Sequence, residues 1–359
     1  MAPDSPCPDI LFERRGAAGI VILNRPHALN AVTLGMVEAL ALQLTAWEGD
    51  AAVTRVVVTA AGGRAFSAGG DLRALFDAGS AGRYREALAY WRTEYALNAL
   101  IKRYRKPYVA LIDGIVMGGG AGISVHGSHR VAGDGFAFAM PEVGIGFIPD
   151  VGATWFLPRL PGEFGLYCAL TGERLGPADA VAAGVATHRI ASARFSDLLA
   201  GLYGNVPVDA LLRAFAEPAG EGPLSGRRLL IDRLFAGDTV EGILAALDVE
   251  AAGSGPDADF ARLTAATIRL KSPTSLKITL AQLRRGRTLD FAECMRIEFR
   301  IVSRLMRGHD LYEGIRSVII DKDQAPRWQP ASLAAVGAAE VEQYFAPQAD
   351  ELALPSSES

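Results

Sequence analysis

The chain is short of the features that mark several whole classes of protein. Its three cysteines, Cys7, Cys168 and Cys294, lie far apart and form no CxxC pair. Neither a disulfide scaffold nor a structural zinc site is therefore expected, and the cysteines read as space-filling residues of an intracellular protein. The histidines and carboxylates show no ligand spacing such as HExxH, so no metal is expected. Charge of one sign is also lacking: the net charge is -4 and no basic stripe dominates, which argues against nucleic acid as the main partner. No apolar run approaches the length of a bilayer span, so no membrane partner is expected. The first residues, MAPDSPCPDI, lack a basic stretch followed by an apolar one. No secretory signal is apparent, and a cytoplasmic location is the expectation.

What is present is an ordinary globular composition, half apolar and about a fifth charged, in 359 residues. That is enough for one large domain or two ordinary ones with a real core. Residues 10 to 24 read as two short strands around Gly16 and Gly19, and 53 to 59 as a buried strand. Between them Leu34, Val37, Leu40, Ala41 and Leu44 recur at a helical period. Residues 88 to 104 predict an amphipathic helix carrying Glu94, and 108 to 112 another buried strand. This alternation continues to about residue 190 and predicts an α/β fold. After 195 strand signals fade and helical runs take over, the longest at 291–306. Residues 1–9 and 331–359 are expected to be flexible ends.

The chemistry concentrates between Lys106 and Leu160. A strand is followed by Gly118, Gly119 and Gly120 and then by a segment, 121 to 126, able to wind as a helix. Backbone N–H groups at such a start have no intrahelical partner, and the site suits an oxygen that becomes negative. A second β-like run, 135 to 140, leads to Glu142 and Asp150 among apolar residues and glycines, where a charge is costly without a task or a partner. Oxyanion donors beside carboxylates point to acyl chemistry on a carbonyl. Asp150 has a plainer role open to it, capping a helix that starts near Val151. Glu94 could equally form a surface ion pair. The histidines, His27, His126, His129, His188 and His309, read as structural.

Several long motifs, in order, carry a resemblance. LNRPHALNA (23–31), AFSAGGDL (65–72) and DGIVMGGGAGIS (113–124) resemble the crotonase (enoyl-CoA hydratase/isomerase) superfamily. FAMPEVGIGFIPDVG, SPTSLKITL (272–280) and MRGHDLYEGIRSVIIDKDQAPRW (306–328) bring the chain closest to its 3-hydroxyisobutyryl-CoA hydrolase branch. The resemblance implies a crotonase-like ββα superhelix, a spiral core over 10–195, with a helical C-terminal region at 196–330 covering an acyl-CoA site. It also implies an oxyanion hole made by the N–H groups of Gly70 and Gly119, with Glu94, Glu142 and Asp150 in contact with substrate or carrying the chemistry. Main chain at Ala68 and Asp71 would meet the adenine end of coenzyme A, which enters as part of the substrate and not as a prosthetic group. Arg25, Arg64 and Lys322 are candidates for the phosphates, and Phe147, Trp155 and Phe156 for the acyl pocket. A homo-oligomer, trimer or hexamer, is the form the superfamily suggests.

One departure decides among the superfamily's reactions. Its hydratases place a second glutamate three residues after the central glycine of GGG, where this chain has Gly122. Half the acid–base pair is missing, which disfavours simple hydration and favours a thioester hydrolase. Glu142 would attack the carbonyl or activate a water that does. An enoyl-CoA hydratase or isomerase remains the alternative, as does a catalytically silent acyl-CoA-binding protein.

Overall fold

The computed structural model describes residues 7–354, so most of the expected flexible start lies outside the described residues. The chain forms two compact units that interleave along the sequence. The first contains the described residues up to Asp71, then Thr93–Ala139 and Arg174–Ser225; the second contains Leu72–Arg92, Met140–Glu173 and the described residues from Gly226 onward.

All the strands belong to the first unit. β1 (Ile10–Arg15) and β2 (Ala18–Leu23) form an antiparallel hairpin turned by Gly16, at φ +57°. Then come β3 (Arg55–Ala60), β4 (Ala65–Ser67), β5 (Tyr108–Ile112), β6 (Ile115–Met117), β7 (His129–Ala132), β8 (Ala137–Ala139) and β9 (His188–Arg189). They make a sheet in the order β1-β2-β3-β5-β7-β9 and a smaller one in the order β4-β6-β8. Each consecutive pair, β3–β4, β5–β6 and β7–β8, sends one strand to each sheet, and all these pairings are parallel. The chain therefore steps sideways by one strand per turn, which is the expected spiral. β3 (RVVVTA) and β5 (YVALI) are apolar on both faces, as buried parallel strands are. Ile20, Val57, Val109 and Leu111 pack against Leu198 and Leu212, from helices Phe195–Leu202 and Val208–Phe215. The helix Leu34–Gly49 starts where Thr33 accepts from the Met36 N–H, in agreement with its apolar period.

The second unit is helical, with long members at Pro256–Arg269, Pro273–Gly286 and Phe291–Leu305. The EGIRSVII stretch is helical, within an α-helix at Asp310–Ile315 that runs into a π-helical turn at Arg316–Ile320. The flexible end expected from 331 does not hold for the described part of that segment. It carries a helix at Ala338–Gln343 and buries Val336, Val341, Phe345 and Leu352. Arg300 grips the Glu351 carboxylate at 2.9 Å, and Arg92 donates to the Glu351 carbonyl at 2.9 Å. Scattered apolar anchors and arginine contacts hold this segment without a periodic pattern. Among the described residues no helix is long and apolar enough to cross a membrane.

Candidate active site

In the first unit the site grows from two glycine turns. Asn30 fixes the first: its Nδ2 donates to the carbonyls of Ala61 and Ala65, both at 2.9 Å, so LNRPHALNA is tied to the entry of β4. Beyond β4 the chain runs beside Val32, whose N–H donates to Gly69 O at 2.8 Å and whose carbonyl accepts from Asp71 N–H at 3.1 Å. Successive N–H groups of extended backbone face opposite sides, so this pairing turns the Gly70 N–H away from Val32. Among the described residues no acceptor takes it.

The second turn is at Gly118, where φ 46° and ψ -124° demand a residue without Cβ. It delivers Gly119 as the first residue of a helix, Gly119–Gly122, whose N–H likewise has no acceptor among the described residues. The expected helix at 121–126 is thus a single turn that starts earlier. Little dipole can accumulate over so few residues; the donors are there because the turn exposes them. A Cβ built on Gly119 would lie 3.4 Å from Gly70 N and 2.5 Å from Glu94 Oε1. Gly70, Gly119 and Glu94 are therefore brought together, with Glu94 buried at 2% exposure. A surface ion pair, the plainer alternative for Glu94, does not match this burial.

Ala68 and Asp71 share the Gly70 turn, but their N–H groups are already bonded inside the fold, to Leu29 O at 3.0 Å and Val32 O at 3.1 Å. The Asp71 carboxylate pairs with Arg25 at 3.0 Å, while Arg64 and Lys322 are exposed. Gly122 is buried within its helical turn, as a position without a carboxylate can be.

The second unit supplies the other carboxylates. Pro141 starts a 3-10 turn at Glu142–Ile145, and Glu142 is buried at 6% exposure. Its Oε2 has no hydrogen-bond partner among the described residues. A purely structural carboxylate would be satisfied, since an unmet buried acceptor costs about 1–3 kcal/mol. Burial pushes the Glu142 carboxyl well above the ordinary carboxylate range, and the charge of Asp150 pushes it further. Asp150, 4% exposed, precedes Val151 at φ 52° and Gly152 at φ 90°. The helix that follows, Ala153–Phe156, is flanked by Gly152, so Asp150 does not take the capping position open to it.

Three polar residues were not singled out by the sequence reading. Asn98 sits one helical turn beyond Glu94, wholly buried, with neither amide atom partnered among the described residues. Glu298 and Gln282 project from the long helices of the second unit toward the turn around Asp150. Each lies within an amphipathic helical run with no local signal to distinguish it from a solvated face. Three of the histidines have partners of structural kind: His129 with Asp209 at 2.8 Å, His188 with Thr187 at 2.8 Å and His309 with Asp310 at 3.2 Å. Phe147 stacks on Trp91 at 5.6 Å and Trp155 meets Phe291 edge-on at 5.9 Å, so both rings are engaged in packing.

Comparison with known proteins speaks to the family and the fold. The family model described as enoyl-CoA hydratase/isomerase matches residues 18–345. A Danio rerio protein named 3-hydroxyisobutyryl-CoA hydrolase, mitochondrial, is 45% identical over 94% of this chain and 89% of its own length. A solved structure titled as a carnitinyl-CoA dehydratase from Mycobacterium thermoresistibile is 43% identical, with a TM-score of 0.90 over 96% of this chain and 98% of that one. Another, titled as an enoyl-CoA hydratase from Rhodobacter sphaeroides, is 40% identical, with a TM-score of 0.87 over 94% of this chain and 97% of that one. The expected cytoplasmic location is corrected by this comparison, because relatives as similar as the Danio rerio protein are named as mitochondrial.

Proposed function

The chain belongs to the enoyl-CoA hydratase/isomerase family, and from that premise we propose that it hydrolyses 3-hydroxyisobutyryl-CoA to 3-hydroxyisobutyrate and coenzyme A, a step of valine breakdown. The observation that carries the hydrolytic reading is the pairing of an unsatisfied Glu142 carboxylate oxygen with glycine at position 122. One carboxylate is poised for work, and the second that hydration would need is absent.

In the proposed mechanism the thioester oxygen accepts from the Gly70 and Gly119 N–H groups, whose demand is greatest as the carbonyl becomes an oxyanion. Glu142 attacks the carbonyl carbon, or takes a proton from the water that does. In the first route the C–S bond breaks, coenzyme A leaves as thiolate, and water then opens the acyl–Glu142 anhydride. In the second the same bond breaks in a single addition–elimination and the proton passes from Glu142 to the thiolate. Asp150 orients the water or the 3-hydroxyl, and Glu94 hydrogen-bonds the polar end of the acyl group. The adenine end meets the carbonyls of Ala68 and Asp71, since their amides are bonded within the fold. A trimer or hexamer is the assembly we propose, to be read by light scattering on the eluted protein.

The test is release of free thiol from 3-hydroxyisobutyryl-CoA, followed with a thiol reagent. Rapid release supports the reading. Hydration or double-bond migration of an enoyl-CoA without thiol release would instead support a hydratase or isomerase, as the names of the two solved relatives suggest. Binding without any turnover would make the protein a silent acyl-CoA binder.

A further inference from the structure

The turn that carries Asp150 is strained and held from two sides. Val151, a β-branched residue, sits at φ 52° and Gly152 at φ 90°. A β-branched residue in the left-handed region costs on the order of 1–3 kcal/mol and persists only where its surroundings impose it. Two side chains supply part of those surroundings. Glu298, fully buried on the helix Phe291–Leu305, accepts from Gly152 N–H through Oε2 and from Thr154 N–H through Oε1, both at 2.8 Å. Gln282, fully buried on Pro273–Gly286, donates through Nε2 to Pro149 O at 2.6 Å and to Thr154 Oγ1 at 2.7 Å. The four bonds reach residues on both sides of Asp150 in the sequence, Pro149 before it and Gly152 and Thr154 after it.

We propose that Glu298 and Gln282 are positioning residues that clamp the strained turn 149–154 and thereby fix the direction of the Asp150 carboxylate. The inference rests on the role given to Asp150 above. A buried carboxylate is an expensive way to fasten a loop. Burial, with the Asp150 charge behind it, lifts Glu298 to about 8 against the lowering effect of its two amide bonds. Two amides converging on one carboxylate define the turn far more narrowly than apolar packing would, and local rules are broken in this manner where a functional group must be aimed. No comparable grip is needed to close the helix Ala153–Phe156, which is a single turn.

The experiment uses the full chain and four variants, Glu298→Gln, Glu298→Leu, Gln282→Leu and Asp150→Asn, with thiol release and thermal unfolding measured on each. Glu298→Gln keeps one acceptor and Glu298→Leu none. A displacement of about 1 Å costs on the order of 10²-fold in rate, so kcat should fall about tenfold in the first and about a hundredfold in the second. KM should stay within about twofold in both, a split that general loosening of the fold would not produce. Gln282→Leu should lower kcat in the same sense. Unchanged kcat in folded Glu298→Gln, or in Gln282→Leu should the Glu298 variants fail to fold, overturns the proposal. Full turnover in Asp150→Asn overturns the role of Asp150 instead. A dead Asp150→Asn beside normal Glu298 and Gln282 variants isolates the failure to the clamp.

Discussion

Replacing Gly119 by alanine separates catalytic geometry from backbone preference. Gly119 is the first residue of a helix and lies outside the left-handed region, so alanine suits its backbone. Helix propensity alone would favour the change by up to about 1 kcal/mol. The added methyl, however, arrives 2.5 Å from Glu94 Oε1, and an ordinary carbon–oxygen contact needs nearly 1 Å more. Glu94 is 2% exposed and has no solvent to swing into. Its carboxylate must adopt a poorer rotamer or the turn must shift, at about 1–3 kcal/mol for overpacking. Stability should therefore fall by no more than about 3 kcal/mol, a few degrees in Tm. The same methyl stands 3.4 Å from Gly70 N, in the space where the oxyanion would be held. Loss of one such donor costs roughly 10²–10³ in rate. Thiol release and thermal unfolding on one preparation give both numbers. Wild-type turnover in a folded Gly119→Ala protein would refute the oxyanion assignment.

Further outcomes follow from the buried polar groups. Glu142→Gln should lose several orders of magnitude in thiol release with coenzyme A binding largely kept, measured by calorimetry; unchanged turnover removes Glu142 from the mechanism. Because burial and then Asp150 raise the Glu142 carboxyl, and the carboxylate is the active form, kcat/KM should rise with pH through a limb well above the ordinary range. The residual activity of Asp150→Asn should show that limb at lower pH. Glu298 is raised to about 8 in the fold and returns to about 4.5 when unfolded, so between those values the unfolded chain holds fewer protons. Its contribution is complete below about 4.5 and is lost as pH rises to about 8, at most about 5 kcal/mol. Melting between pH 5 and 8 should thus decline more steeply in wild type than in Glu298→Gln, and parallel curves would contradict this. Asn98→Leu should stabilise the fold by about 1–3 kcal/mol in denaturant unfolding, because its amide is buried without a partner among the described residues; destabilisation would show a hidden partner.

Much of this was legible in the sequence because it is local. The β-branched runs at 55–60 and 108–112, the apolar period after Thr33 and the two glycine turns carry their structure in their own residues. The family and the thioester-hydrolase reading rested on long motifs; the family model bears out the first and the Danio rerio relative the second. What was not legible depends on distant partners. Val341, Phe345 and Leu352 are too sparse to reveal a packed segment, and become anchors only against the rest of the second unit. Asn98, Gln282 and Glu298 look like the polar members of amphipathic helices until folding buries them. The one-turn helix at Gly119 and the strained residue Val151 are set by neighbours and not by propensity.

The central claim is that two main-chain amides hold the thioester oxygen while Glu142 addresses its carbon. A crystal structure of the Glu142→Gln protein with the intact acyl-CoA bound tests this most directly. The account predicts the thioester oxygen about 3 Å from the nitrogens of both Gly70 and Gly119, with the residue at 142 facing the carbonyl carbon directly or through one water. An acyl carbonyl lodged away from those glycines, or residue 142 turned aside with no room for water between, would contradict it.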